Sequence, residues 1–200
     1  MIRTLKLFII ATVTSVVSFA QTNTTITIDK IKQSAHSITL PDNNDLVKNF
    51  IEDLIKKSGG KVKHTSGFIY GRNIESAELD GTKKADAYFD IEKSKNSGKE
   101  ISIVKLVVKD DKEKFASDTL NNELFKSAGK WLNSFQMKLE VYKRDQEIAA
   151  LTEQLKDINN KLSSLRKNVR NNKDDNIAAI KETEKKLDDI SERLEALRKN

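Results

Sequence analysis

The chain has 200 residues, of which 36 are Lys or Arg and 30 are Asp or Glu, giving a formal net charge of +6 at pH 7. It contains no Cys, which excludes disulfides, thiolate metal sites and cysteine nucleophiles. A mild positive excess is typical of a solubilising surface, and it also permits weak contact with an anionic envelope surface. We expect no nucleic acid partner, because the N-terminal pattern predicts export.

Residues 1–20 predict a signal peptide. Arg3 and Lys6 precede a short apolar run, and Ser18 and Ala20 stand at the small-residue positions of a cleavage site. Cleavage after Ala20 would leave a periplasmic or secreted bacterial protein, which the lack of Cys also favours. The alternative is a retained membrane anchor, but the apolar run is shorter than the roughly 20 residues that a spanning helix needs. We expect no transmembrane span after removal of the signal.

Residues 21–140 predict a compact α+β head domain, because they hold most of the aromatic residues, every Gly and the one Pro. Alternating segments at 25–28 and 37–40 predict short strands, KVKHTSGFIYG predicts one half-buried strand, and ADAYFDIEK and EISIVKLVVKD predict two more. Apolar residues at helical spacing predict helices over 45–58 and from about residue 117. We therefore expect a small sheet of three or four mostly antiparallel strands, covered by these two helices.

A strict apolar repeat follows the head. Aliphatic residues occupy every a and d position of the first seam, at Ile148, Leu151, Leu155, Ile158, Leu162, Leu165 and Val169. A second seam, displaced by four residues, contains Ile180, Leu187, Ile190, Leu194 and Leu197. Such repeats are typical of a coiled coil, so residues 141–200 predict a long coiled-coil tail rather than a solitary amphipathic helix lying on the head.

The two seams are separated by a polar segment at 168–176. Its Asn and Asp residues each cost about half a kcal/mol or more relative to Ala in a helix, which favours a break and an antiparallel hairpin. The absence of Gly and Pro favours the alternative, one continuous helix that passes through a four-residue stutter. A basic cluster at this junction is either a solvated tip or a contact for an anionic surface; it comprises Arg166, Lys167, Arg170 and Lys173.

The sequence shows no pattern that supports catalysis. His36 and His64 lie in separate predicted elements without ligand-spaced companions. Motifs for a serine nucleophile, a phosphate-binding loop or a zinc protease are missing. We therefore predict no catalytic, cofactor-binding or metal-binding residue, no cofactor, and a protein that is not an enzyme.

The order of segments carries a resemblance over most of residues 45–165. KKSGGKVKHTSGFIYGRN, DAYFDIEK, ISIVKLVV and AGKWLNSFQMKLEVYKRDQEIAALTEQLKDINNKL resemble a group of exported bacterial proteins with a small α+β head and a Lys/Glu-rich coiled coil. That group has no assigned activity, so the resemblance implies no functional residues. A looser likeness is to Skp/OmpH-like periplasmic chaperones, in which the helical arms are inserted within the β-domain, whereas here the helix follows the head.

Together these patterns predict an exported, non-enzymatic interaction or structural protein that self-associates or binds a protein partner through its coiled coil. One alternative is a periplasmic holdase-type chaperone. Another is a head domain that binds a small ligand or lipid in a pocket between sheet and helix.

Overall fold

The computed structural model describes residues 22–65, 67–79, 84–110, 113–168 and 173–199, without the side chains of 168 and 173–176. The predicted signal peptide and its cleavage after Ala20 lie outside these residues, as do Val169 of the first seam and Arg170 of the basic cluster.

The described chain contains an antiparallel sheet and a set of helices. Its strands are β1 (Thr22–Ile28), β2 (Ile31–Leu40), β3 (Lys61–Thr65), β4 (Phe68–Ile74), β5 (Ala85–Asn96) and β6 (Lys99–Lys109). Its helices are α1 (Asn44–Lys57), α2 (Asn122–Asn133), α3 (Phe135–Asn168) and α4 (Lys173–Lys199). The strand order across the sheet is β1-β2-β6-β5-β4-β3, and every neighbouring pair is antiparallel.

Three hairpins build the sheet. The β1–β2 turn places Asp29 and Lys30 at positive φ, and the β5–β6 turn does the same with Ser97 and Gly98, as tight two-residue hairpins require. Strand β2 pairs with β6, which brings the first and last hairpins side by side. The sheet therefore has β1 at one edge and β3 at the other.

The main core lies between one face of the sheet and the helices α1, α2 and the first turns of α3. Trp131 of α2 and Phe135 of α3 are fully buried against Phe89 of β5. Helix α1 begins with a conventional cap, because the side chain of Asn43 accepts a hydrogen bond from the Leu46 amide at 2.9 Å. The face of the sheet that is turned away from the helices carries a second, smaller apolar cluster.

The predicted sheet of three or four strands is wrong, because the sheet has six. The segment KVKHTSGFIYG predicts one strand, whereas the chain reverses at Gly67 and forms the β3–β4 hairpin. Gly67 has a φ of +88°, a conformation that glycine adopts without strain. The prediction places Val62, His64, Phe68 and Tyr70 on one face because their numbers differ by even steps, but the polar run between Val62 and Phe68 fixes no face and contains the turn.

The predicted long coiled-coil tail is also wrong, as is the division into two covering helices and a separate tail. Helix α3 is one element of 34 residues; its first turns bury Phe135 and Leu139 in the head, and the rest of it lies against α4. The helix predicted from about residue 117 ends instead at Asn133; Ser134 follows it with helical dihedral angles and donates its hydroxyl to the Trp131 carbonyl at 2.6 Å. The sequence did not mark this arrangement because apolar residues at helical spacing occur on both sides of the polar run 143–147, and a helical pattern does not specify whether its partner is a sheet or another helix.

Candidate functional site

Helices α3 and α4 lie side by side and antiparallel. Near one end of the pair, Arg166 of α3 contacts Glu184 of α4, with 2.9 Å between guanidinium nitrogen and carboxylate oxygen. Near the other end, Arg193 of α4 contacts Glu147 of α3 at 3.2 Å. An early residue of α3 thus meets a late residue of α4, which defines the antiparallel direction. We call these two helices the helix pair.

The predicted seam residues lie along the contact between α3 and α4, but their burial is uneven. Leu151, Leu162 and Leu194 are 2–5% exposed and fill the centre of the contact. Thr183 is buried beside them, and its hydroxyl donates to the Ala179 carbonyl at 2.7 Å, so its polar atom is satisfied. The remaining described seam residues stay half-buried and form what we call the half-buried stripe: Ile148, Leu155, Ile158, Leu165, Ile180, Leu187, Ile190 and Leu197.

The geometry of helix packing explains why the residues of the stripe are only half-buried. The apolar face of a helix in a globular protein is about 100° wide or more, and one neighbouring helix covers only part of that width. Bundles close such faces by packing four helices around a common core. The helix pair therefore retains apolar side chains along its flank that a further helical surface would cover.

Charges of both signs border the stripe. Lys156 contacts Glu153 on α3 at 3.1 Å, and Lys186 contacts Glu182 on α4 at 2.6 Å. The hydrogen bond from Lys186 lowers the pKa of Glu182. These pairs are exposed, so each adds little to stability, but they keep the flank of the helix pair close to neutral.

The predicted basic cluster is described only in part. Arg166 is engaged by Glu184, Lys167 is exposed, Arg170 lies outside the described residues, and Lys173 begins α4 without a described side chain. An open groove of about 610 Å³ adjoins the cluster, lined by Asn159, Leu162, Ser163, Arg166 and Lys167. In the described part of the cluster, Arg166 is therefore paired with a carboxylate and Lys167 is solvated. Contact of the cluster with an anionic surface stays a prediction.

The sequence did not reveal the aromatic cluster on the sheet face turned away from the helices. The rings of Tyr70 and Tyr88 stack with 4.5 Å between their centres, and Phe68 packs edge-on against Tyr88. The Lys109 ammonium lies 4.5 Å from the centre of the Phe115 ring. Alternation alone predicts half-buried strands; the cluster becomes visible only once the order of the six strands is known.

A carboxylate fixes one end of this cluster. Asp86 accepts a hydrogen bond from the Tyr70 hydroxyl, and its other oxygen accepts one from the Asn73 amide at 2.8 Å. Asn73 has a φ of +56° and lies where the β4–β5 register shifts between Gly71 and Ile74. Burial, assisted by the bond to Asp86, raises the pKa of Tyr70, so the phenol stays protonated. Asp86 therefore holds a β-bulge and orients Tyr70.

The two histidines occupy structural positions. His36 is buried, stacks on Phe125 with 4.0 Å between ring centres, and donates from Nε2 to the Phe125 carbonyl at 2.8 Å. His64 is exposed on β3, 3.3 Å from the Glu52 carboxylate of α1. Among the described residues, no group of three or more His, Asp or Glu side chains is placed to hold a metal ion.

The interface between sheet and helices is filled by side chains. Phe89, Trp131 and Phe135 are fully buried and contact one another there, whereas Phe68 and Tyr88 lie on the opposite face. This packing does not favour a ligand pocket between sheet and helix.

None of the helices in the described part of the chain combines the length and the apolar character needed to cross a bilayer. Comparison with known proteins gives neither a matching family model nor a matching curated protein.

Proposed function

We propose that the protein is an exported, non-enzymatic interaction protein that assembles through the helix pair, with the helix pair of a second copy covering the half-buried stripe. The observation that carries this proposal is the uneven burial along the contact between α3 and α4. Three leucines fill its centre, while the eight residues of the half-buried stripe keep part of their surface in water. A further pair of helices would complete a four-helix core.

The hydrophobic gain is comparable to the cost of association. At most about a third of the surface of each Leu or Ile in the half-buried stripe is still exposed, so completing its burial contributes roughly 0.5 kcal/mol. Two copies bring two half-buried stripes together, so the favourable term is on the order of 10 kcal/mol. The cost of association is about 4–15 kcal/mol, so this gain drives assembly if the cost lies toward the lower end of that range.

The charge distribution suits a second copy as the partner. Helix α3 carries seven basic and five acidic residues, and α4 carries seven basic and eight acidic residues. In an arrangement that sets α3 of one copy beside α4 of the other, a mildly positive helix faces a mildly negative one. Neither contact accumulates charge of one sign.

We propose export because the pattern of residues 1–20 is typical of a signal peptide. The test is N-terminal sequencing of the protein recovered from the bacterial envelope or medium. We expect the mature chain to begin at Gln21; a chain that keeps Met1 and fractionates with membranes would support the retained anchor instead.

Assembly is tested by measuring the molar mass of the purified chain by light scattering over a range of concentrations. We expect the wild-type protein to reach the mass of a dimer. The double variant Leu155→Lys with Ile190→Lys introduces charge into the half-buried stripe of each helix and is expected to stay monomeric. The matched control, Gln154→Lys with Ser191→Lys, changes exposed neighbours and is expected to assemble as the wild type does.

Two results would contradict the proposal: a wild-type chain that stays monomeric at high micromolar concentration, or a stripe variant that assembles as well as the control. Circular dichroism of each variant establishes whether the helices are intact. A monomer that suppresses aggregation of an unfolded outer-membrane protein would favour the holdase alternative.

A further inference from the structure

The two edges of the sheet differ in how they are protected. Strand β3 is short and carries Lys61, Lys63 and His64 among its five residues. Lysine side chains discourage another chain from pairing with a sheet edge. Strand β1, TNTTITI, has seven residues without a charge or a proline. The outer edge of β1 therefore lacks the features that normally block strand addition.

The outer edge of β1 is also unoccupied in the described part of the chain, where β2 is its one strand neighbour. An edge strand leaves backbone N–H and C=O groups directed away from the sheet. Thr22, Asn23, Thr25 and Thr27 are exposed, whereas Ile26 and Ile28 are buried on the face turned away from the helices. An added strand would thus find a polar row on one face and an apolar row on the other.

A groove adjoins this edge on the helix side of the sheet. It has a volume of about 330 Å³ and is lined by Asn23, Thr24, Thr25, Ser34, Asp118 and Phe125. Asp118 is exposed, pairs with no cation among the described residues, and is the one charged side chain in this lining. The groove accordingly suits a cationic side chain.

We propose that β1 binds an extended peptide segment of a partner protein by strand addition. Backbone hydrogen bonds to the β1 edge would hold the segment, and its side chains would alternate between the two faces of the enlarged sheet. Apolar side chains lie beside Ile26 and Ile28, and a Lys or Arg side chain on the other face reaches Asp118. A second copy of β1 fits less well, because it brings no cation to Asp118. This site is separate from the helix pair.

The probe is a short capped peptide labelled with fluorescein, in which isoleucine alternates with threonine and one central threonine is replaced by lysine. We expect saturable binding by fluorescence anisotropy. N-methylation of the peptide backbone at alternate residues should abolish binding, because it removes the donors that pair with the edge. A peptide with glutamine in place of lysine should bind about two- to fivefold more weakly, as expected for an exposed charge pair.

Two variants of the full chain locate the site. Thr25→Lys places a cation on the edge and beside Asp118, and we expect it to weaken binding of the lysine peptide about tenfold or more. The same change at the other edge, Thr65→Lys, is the matched control and should leave binding unchanged. Asp118→Asn should make the lysine and glutamine peptides bind equally. All three positions are exposed, so thermal unfolding should be unaltered.

The proposal is overturned if the wild-type chain shows no saturable binding at millimolar peptide. It is also overturned if the N-methylated peptide binds equally well, or if Thr25→Lys and Thr65→Lys weaken binding to the same extent. If Thr25→Lys instead converts a wild-type assembly into a smaller one without affecting peptide binding, the edge pairs copies of this chain rather than a partner peptide.

Discussion

The head and the helix pair are both rich in aliphatic side chains, yet they bury them to very different degrees. In the head, Phe89, Trp131 and Phe135 are fully buried because the sheet encloses them from one side and the helices from the other. In the helix pair, eight of the described seam residues remain half-buried because, in the part of the chain that the structure describes, α4 and the part of α3 beyond the head pack mainly on each other. The head completes its own core, whereas the helix pair leaves part of its apolar surface in water. This difference is the basis for placing the interaction function on the helix pair.

The largest effect is expected from the centre of the head. Trp131→Ala removes the largest fully buried side chain, and we expect it to lower the free energy of unfolding by about 3–5 kcal/mol. Urea denaturation followed by circular dichroism measures the loss. A loss below about 1 kcal/mol would mean that the head is not the self-sufficient part of the molecule.

Shortening single leucine side chains to alanine should lower the free energy of unfolding more at the centre of the helix pair than in the half-buried stripe. Leu162→Ala removes a buried contact at 5% exposure and should cost about 2–3 kcal/mol. Leu165→Ala, one turn away and half-buried, should cost about 1 kcal/mol in dilute monomer. At a concentration where the chain assembles, the cost of Leu165→Ala should rise toward that of Leu162→Ala. Equal costs at every concentration would show that nothing further covers the stripe.

The head should lose stability in mild acid through His36. Burial lowers the pKa of His36 below its ordinary value of 6.5. Above pH 6.5 the imidazole is neutral in both the folded and the unfolded chain, so His36 does not lower the free energy of unfolding. Below that pH the unfolded chain binds a proton that the folded chain does not yet bind, so the free energy of unfolding falls. The fall ends once the pH drops below the pKa of His36 in the folded chain.

This dependence is measured as the urea midpoint between pH about 7.5 and 5, on either side of the ordinary histidine pKa. His36→Gln keeps a donor for the Phe125 carbonyl but does not titrate, so its midpoint should fall less than that of the wild type. The control His64→Gln, at an exposed histidine, should behave as the wild type. An equal fall in all three proteins would contradict the role of His36.

The smallest effects are expected from the ion pairs that join α3 to α4. Arg166 and Arg193 are about 60% exposed, so Arg166→Ala and Arg193→Ala should each change the free energy of unfolding by about 0.5 kcal/mol or less. Raising the salt concentration should reduce even this difference, because exposed charges are screened. Losses above about 2 kcal/mol would mean that charge, rather than the leucine contacts, holds the helix pair together.

Sequence patterns predicted the local elements better than their assembly. The alternation in ADAYFDIEK and EISIVKLVVKD correctly predicts β5 and β6, and the apolar spacing over 45–58 predicts α1. The β3–β4 turn was missed because the even numbering of Val62, Phe68 and Tyr70 was given more weight than the polar run and Gly67 between them. The reach of α3 into the head was missed because Phe135 and Leu139 continue a helical pattern whose partner, sheet or helix, the pattern does not specify.

The candidate sites divide in the same way. The seam positions could be predicted from the heptad repeat. Which of them are buried depends on how many helices surround them, and the repeat does not specify that number. The aromatic cluster and the β1 edge depend on strand order, which is set by long-range pairing such as that of β2 with β6.

The most direct test of the account is native-state amide hydrogen exchange of the wild-type chain at low and at high protein concentration. We predict that protection of amides in the described parts of α3 beyond the head and of α4 rises with concentration, while protection in β5 and β6 stays constant. Protection of the helix pair that is independent of concentration would contradict the claim that a second copy covers the half-buried stripe.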